Sequence, residues 1–188
     1  MMDIAWVGGG LVKGQKIINK MIKLVGDRKI EELPIPFTAV ATELESGREV
    51  WLSEGPLFDA IRSSCSLPLF FTPTKYKERM LVDGGVVNPV PIAPVFHDNT
   101  DLTIAVNLGG RTRNDQPVER KKDVGAYEVA YFVFDAMQST IARQKLAAYP
   151  PDLVISIPRN VARTFDIDRA AEIIEIGREA AEEALDNL

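Results

Sequence analysis

The segment of this chain best suited to chemistry is an aspartate followed by two glycines, Asp83-Gly84-Gly85, directly after a short apolar run at residues 80–82. A carboxylate at the end of a buried strand can accept a proton, and in open α/β sheets ligands bind beyond the carboxyl ends of the strands. The glycines permit a tight turn and let a partner approach the carboxylate. Ordinary Asp-Gly turns have the same sequence, so this segment alone leaves a purely structural interpretation open.

Other side chains of nucleophilic or basic type favour structural interpretations. Ser63, Ser64 and Ser66 are expected to form hydrogen bonds at a helix end and in the loop after it. Cys65, the only cysteine, excludes an internal disulfide and is predicted to be a small buried residue. His97 is the only histidine, so a Ser-His-Asp triad would have to use it. Its Pro-rich and charged surroundings instead predict a position on the surface.

Composition excludes several classes of protein. The chain has 188 residues, of which 46% are hydrophobic and 26% charged, as is typical of globular domains. A formal net charge of −5 argues against nucleic acid as a partner. No run approaches the roughly 20 apolar residues of a membrane span, and the first residues lack the pattern of a secretory signal. We therefore expect a cytoplasmic location, with peripheral membrane association as the alternative.

The elements that must position Asp83 can be predicted from periodicity and turn residues. Residues 37–42 and 49–52 are predicted to form a hairpin, and residues 80–82 a strand that ends at Asp83. The run 102–108 is predicted to be a strand buried on both faces, followed by a strand at 153–157. Helices are predicted at 13–25, 56–62, 124–146 and 166–185. The third is expected to bury one stripe (Tyr127, Ala130, Tyr131, Phe134, Met137, Ile141).

Two interpretations of the first helix and the glycines before it bear on function. Lys13, Lys16, Lys20 and Lys23 are predicted to lie on a solvated helix face, with contact to a lipid headgroup as the alternative. The run Gly8-Gly9-Gly10 is not interpreted as an oxyanion loop, because no serine elbow follows it. Strands that alternate with helices indicate an α/β sheet covered on both faces, in a single domain.

Several segments, in order, resemble the patatin-like phospholipases. The similar segments are a strand and turn, an Ala-Ile-Arg helix before a Pro, an Asp-Gly-Gly motif with a downstream Asn-Pro-x-Pro, and the next strand (residues 36–47, 55–68, 81–91 and 104–108). Residues 150–152 and the alanine-rich last helix resemble the bacterial branch related to neuropathy target esterase. The resemblance implies that residues 1–188 are the C-terminal two-thirds of one patatin-like domain. It also implies a three-layer α/β fold with a mostly parallel central sheet, whose N-terminal strands and nucleophile helix are missing here.

The resemblance also implies a mechanism. Patatin-like enzymes hydrolyse lipid acyl esters with a Ser-Asp dyad, without metal or organic cofactor, and Asp83 occupies the position of the proton-accepting aspartate, supported by Gly84 and Gly85. No Gly-x-Ser-x-Gly elbow occurs in these residues, so the chain by itself is expected to be inactive. The alternative is a natural remnant that binds a lipid or a protein. The missing part is expected to expose apolar surface, which predicts a homo-oligomer or complementation by an N-terminal piece.

Overall fold

The computed structural model describes residues 10–12, 14–112, 125–162 and 166–188. Two compact units divide the chain, residues 1–94 and 95–188, and each is described here by itself. Within the described residues, the first unit contains six strands and two α-helices, and the second contains two strands and two α-helices. None of the helices in these residues is long and apolar enough to cross a membrane.

The first unit is built on a four-stranded antiparallel sheet. Its strands lie in the order β3-β2-β6-β5. These strands are β3 (Glu49–Leu52), β2 (Ala39–Glu43), β6 (Arg79–Asp83) and β5 (Thr74–Tyr76). A separate parallel pair joins β1 (Gly10–Val12) to β4 (Leu69–Phe71). Helix α1 spans Gln15–Val25 and α2 spans Leu57–Ser64. Gly10 is the first residue of β1, whereas Gly8 and Gly9 lie outside the described residues.

The predicted hairpin is confirmed. Strands β2 and β3 pair antiparallel, with Ala39 opposite Leu52 and Thr42 opposite Glu49. The turn closes through a hydrogen bond of 2.9 Å from the N–H of Gly47 to the carbonyl oxygen of Glu43. Gly47 has a φ of +65°, a left-handed conformation that glycine adopts without steric cost.

The core of the first unit lies between this sheet and the two helices. Strand β2 buries four successive residues, as expected of a central strand with both faces covered. Helix α2 packs against β2 and β6, and Ala41, Ala60 and Leu81 are fully buried there. Helix α1 adds Ile18 to the same cluster. Asp83 therefore ends a strand that is held on both sides by neighbouring strands and covered by a helix.

The second unit contains a parallel pair of strands, β7 (Ile104–Gly110) and β8 (Leu153–Pro158), with helices α3 (Ala126–Ala148) and α4 (Ala170–Asp186). Helix α4 packs on β8, where Ile155 and Ile157 are buried against alanines of the helix. Helix α3 contacts β7. These four elements were predicted within a few residues of their bounds.

Two predictions about burial in the second unit are wrong. Strand β7 alternates between exposed and buried residues, so it is not buried on both faces; Ile104, Val106 and Leu108 are 45%, 53% and 70% exposed. In α3, Ala130 and Met137 were expected in the core but are exposed, while Ala142 is buried. An apolar run shows which residues could be buried, but the neighbouring elements decide which face is covered.

The mixed α/β class that the sequence predicts is confirmed. Parallel pairing occurs in two of the three described sheets, and the largest sheet is antiparallel. The antiparallel pairing of β2 with β6 places Ala41 opposite Asp83 and therefore sets the surroundings of the candidate carboxylate.

Candidate active site

Asp83 is fixed by hydrogen bonds on both sides of its backbone. Its N–H donates to the carbonyl oxygen of Ser66 over 3.0 Å. Its carbonyl oxygen accepts a bond of 2.9 Å from Oγ1 of Thr42, a buried residue of β2. These two bonds hold the end of β6 between the neighbouring strand and the loop after α2, so the direction in which the carboxylate leaves the sheet is defined.

The two glycines after Asp83 have different roles. The N–H of Gly85 donates a bond of 2.7 Å to Oδ1 of Asp83, which caps a short 3₁₀ turn over Gly84–Val86. Gly84 packs directly on the backbone of β2: a Cβ at this position would lie 2.2 Å from the carbonyl oxygen of Val40. The backbone of β2 therefore lies too close to Gly84 for any side chain to fit. The sequence suggested only that the glycines allow a tight turn and access to the carboxylate.

The surroundings of Asp83 change its acidity. Burial raises the pKa of the carboxyl group above its ordinary value, and the hydrogen bond from the Gly85 N–H opposes this rise in part. The residue as a whole is only partly buried. A carboxylate with a raised pKa is a stronger base than an ordinary aspartate, as a proton acceptor needs to be.

The serines near this site have structural roles, as expected. Ser66 is fully buried, and its Oγ accepts a bond of 2.5 Å from Nη1 of Arg62 and lies 2.9 Å from Oγ1 of Thr74. Ser63 is also fully buried, and its Oγ donates to the carbonyl oxygen of Asp59 over 2.8 Å. Ser64 is partly buried at the end of α2. The hydroxyl groups of Ser63 and Ser66 thus stabilise the helix end and the loop that holds Asp83.

Cys65 differs from its prediction. The residue was expected to be buried but is exposed to solvent. Its thiol is nevertheless partly desolvated by the surrounding protein, which raises the pKa of the thiol, and the negative charge of Asp83 raises it further; Arg62 acts in the opposite direction. A thiol with a raised pKa is mostly protonated at neutral pH, which agrees with the expectation that Cys65 is not an activated nucleophile.

Sequence reasoning missed the importance of Arg62. This residue is buried, and its guanidinium donates to Oγ of Ser66 and, through Nη2, to the carbonyl oxygen of Thr72 over 3.1 Å. The guanidinium also lies 5.6 Å from the ring centre of Phe71. It therefore joins α2 to the loop and strand after it. The available signal was the arginine that directly follows Ala60 and Ile61 in this short helix. A buried arginine must find hydrogen-bond acceptors.

Asn88, in the Asn-Pro-x-Pro segment, ties the turn after Asp83 to strand β3. Its backbone N–H donates to the carbonyl oxygen of Gly84 over 2.9 Å, and its Nδ2 donates to Oε2 of Glu49 over 3.0 Å. The side chain is buried, and within the described part of the chain its Oδ1 has no hydrogen-bond partner. Asn88 thus ties the turn to β3, at one end of the strand order β3-β2-β6-β5. Ser66 contacts Thr74 of β5, at the other end of that order.

The remaining predicted residues that the structure describes are exposed. His97 is exposed at the start of the second unit, as the sequence predicts. Lys16, Lys20 and Lys23 are exposed on α1, and Lys13 lies outside the described residues. The site in the first unit is therefore centred on Asp83, with Arg62, Ser66 and Asn88 fixing the backbone around it.

Comparisons with known proteins match the part of the chain that contains Asp83. Residues 2–96 match the patatin-like phospholipase family, a range that includes Asp83 and nearly all of the first unit. A Mycobacterium tuberculosis protein described as an uncharacterized NTE family protein is 30% identical over 261 aligned positions, which cover 99% of this chain and 72% of the relative. Since this chain has 188 residues, the relative has residues inside the aligned region that have no counterpart here.

Two further relatives are less similar. An uncharacterized protein of Bacillus subtilis is 26% identical over 92% of this chain and 66% of its own length. The rat patatin-like phospholipase domain-containing protein 7 is 24% identical over 61% of this chain, which corresponds to 9% of that much longer protein. The family match and the mycobacterial relative together show that this chain belongs to the patatin-like phospholipase family, among proteins of the NTE type.

Proposed function

We propose that this chain is part of a serine lipid acyl hydrolase and contributes Asp83 as the proton acceptor of a Ser-Asp dyad. The observation that carries the proposal is the Asp83 carboxyl group, held at the end of β6 by the Gly85 N–H in surroundings that raise its pKa. Family membership supports a lipid ester as the substrate. A Ser-Asp dyad needs no histidine, which is consistent with an exposed His97.

The proposed reaction has two steps and uses no metal or organic cofactor. A serine hydroxyl attacks the acyl carbonyl carbon while Asp83 accepts the hydroxyl proton, and that proton passes to the departing alcohol. Water then attacks the acyl-serine while Asp83 accepts a proton from the water, and Asp83 returns this proton to the serine oxygen as the fatty acid is released. Donors to the carbonyl oxygen are needed in both steps.

The nucleophile is proposed to come from a region outside these 188 residues. The sequence contains no Gly-x-Ser-x-Gly, and the hydroxyl groups of Ser63 and Ser66 are engaged in buried hydrogen bonds. Loss of the nucleophile and the oxyanion donors together leaves little rate enhancement, so the chain alone is expected to be inactive. The absent elbow also favours a second candidate, a non-catalytic patatin-like remnant that binds a lipid or a protein.

One experiment separates the two candidates. The 188-residue chain and the same chain preceded by its upstream coding sequence are assayed for hydrolysis of a nitrophenyl fatty-acyl ester. We expect no turnover by the chain alone and turnover by the extended chain, with Asp83→Asn abolishing it and Cys65→Ser leaving it unchanged. Turnover by the chain alone that Asp83→Asn abolishes would contradict the proposed inactivity. An extended chain without a Gly-x-Ser-x-Gly segment would favour the remnant.

We also propose that the chain associates with itself or is complemented by an N-terminal piece. Support comes from the second unit, where the face of β7 that carries Ile104, Val106 and Leu108 is exposed in the described structure. Exposed apolar rows of this kind promote association. Static light scattering on the purified chain tests the proposal: a mass above 20.8 kDa is expected, and a stable monomer at all concentrations would contradict self-association.

A further inference from the structure

Helix α1 is anchored to the core of the first unit by one face only. Ile18 is buried in the core cluster, and Met21 and Ile22 pack against the same cluster. The opposite face of the helix is exposed, and it carries two different rows of side chains. Because residues three and four apart are neighbours on a helix surface, each row can be identified from its spacing.

The first exposed row is apolar and the second is basic. Ile17 and Leu24, seven residues apart, form the apolar row and are 49% and 76% exposed. Lys16, Lys20 and Lys23 follow the i, i+4, i+7 spacing and form the basic row beside it. We call these five residues the α1 face.

The charge of the α1 face differs from that of the rest of the chain. Helix α1 contains three lysines and no acidic residue, although the whole chain has a net charge of −5. The other exposed polar residues of the helix, Gln15 and Asn19, are uncharged and bond each other over 3.0 Å. In the segment that follows, Glu31 and Glu32 direct carboxylate oxygens to the backbone N–H groups of Gly55 and Lys29. Helix α1 itself therefore contains three positive charges and no negative one.

An apolar row bordered by lysines fits one kind of partner, the surface of an anionic phospholipid membrane. Apolar side chains of such a helix enter the boundary between headgroups and acyl chains, and the lysine stems extend so that the ammonium groups reach the phosphates. We propose that the α1 face docks the first unit on anionic phospholipid membranes. This proposal does not depend on the chain having hydrolase activity, because it concerns binding alone.

Vesicle sedimentation with the 188-residue chain tests the proposal. Binding is measured on vesicles of phosphatidylcholine alone and of phosphatidylcholine with 30% phosphatidylglycerol. We expect binding to the anionic vesicles that weakens as salt is raised, and far less binding to the neutral ones. Each lysine near an anionic surface strengthens binding by a factor of about five, so Lys16→Gln/Lys20→Gln/Lys23→Gln is expected to weaken it roughly a hundredfold.

Matched variants distinguish vesicle binding through the α1 face from binding that depends only on net charge or on any exposed apolar residue. Lys75→Gln/Lys77→Gln/Arg111→Gln makes the same change in net charge at other exposed positions and is expected to leave binding much less affected. Leu24→Ser is expected to weaken binding, whereas Ile174→Ser, at a position 71% exposed on the glutamate-rich helix α4, is not. All these side chains are exposed, and circular dichroism verifies that the variants are folded.

Four outcomes would overturn the proposal. These are absence of binding to anionic vesicles, equal binding to neutral ones, equal losses in the two triple variants, and equal losses in the two serine variants. A dimer in light scattering that Leu24→Ser converts to a monomer would assign the α1 face to a second copy of the chain and would likewise reject the membrane.

Discussion

The backbone N–H of Asp83 donates a hydrogen bond to the carbonyl oxygen of Ser66, and this bond joins the end of strand β6 to the loop after helix α2. The Ser66 side chain is held in turn by Arg62, so a buried arginine on a helix reaches the candidate catalytic strand through one serine. The backbone of Asp83 is thus positioned by residues that have no expected part in the chemistry.

Ser66→Ala is predicted to destabilise the protein by about 1–3 kcal/mol. The change keeps the carbonyl oxygen that Asp83 uses but removes the buried hydroxyl shared by Arg62 and Thr74. Urea unfolding followed by circular dichroism gives the free energy. Ser63→Ala is the matched control, because Ser63 is equally buried and its Oγ bonds the carbonyl oxygen of Asp59 in its own helix. Equal losses in the two variants would argue against a special role of the Arg62–Ser66 contact.

Gly84→Ala is predicted to cost about 3 kcal/mol or more, since the new Cβ would overlap the backbone of Val40 and force β2 and the turn apart. Its control is Gly177→Ala in helix α4, where a Cβ meets no atom within 4 Å. Alanine favours a helix over glycine, so the control is expected to gain up to about 1 kcal/mol. Thermal and urea unfolding measure both. A Gly84→Ala protein of wild-type stability would show that the turn can move away from β2.

Asp83→Asn is predicted to stabilise the protein at pH 7. The pKa of Asp83 is raised in the folded state, so the folded protein binds the proton more tightly than the unfolded chain does, and stability falls as the pH rises through the folded pKa. Asparagine has no charge to desolvate, and its Oδ1 can still accept the Gly85 N–H bond. The stability gain is expected to disappear at acidic pH, below the ordinary aspartate pKa of about 3.9, where the wild-type carboxyl is protonated in both states.

The measurement for this prediction is urea unfolding of wild type and Asp83→Asn at pH 7 and near pH 3.5. Glu78→Gln, at an exposed position in the turn before β6, serves as the control for loss of a carboxylate at the surface. An Asp83→Asn protein that is less stable than wild type at pH 7 would contradict a raised pKa of Asp83.

Cys65 is predicted to react with a thiol reagent in the native protein without denaturant, because the residue is exposed. The reaction should require alkaline pH, since the pKa of the thiol is raised and only the thiolate reacts. Asp83→Asn is expected to increase the rate at pH 8, because the charge of Asp83 disfavours the thiolate. Stopped-flow kinetics with a disulfide reagent measures the rate, and Glu43→Gln should leave it unchanged. Equal rates in wild type and Asp83→Asn would contradict the coupling between the two groups.

The sequence by itself identified the segments that resemble the family, the candidate carboxylate of Asp83 and most of the helices and strands. The Asp83-Gly84-Gly85 motif, the hairpin of β2 and β3, and the helices α3 and α4 follow from local patterns: turn residues, apolar periodicity and helix-favouring composition. These features depend on residues close together in the chain, and therefore a linear pattern contains the information.

Only the tertiary structure decided which groups surround Asp83 and which faces are covered. Arg62 is buried because residues 66 and 72 provide its acceptors, and Gly84 is required because β2 passes directly behind it. Cys65 is exposed although Ser66, the next residue, is fully buried. The exposed row on β7 likewise depends on which face of the strand helix α3 contacts and not on the apolar run itself. These properties arise from contacts between residues distant in the sequence, and the free energy of burial depends on those contacts, which no local pattern specifies.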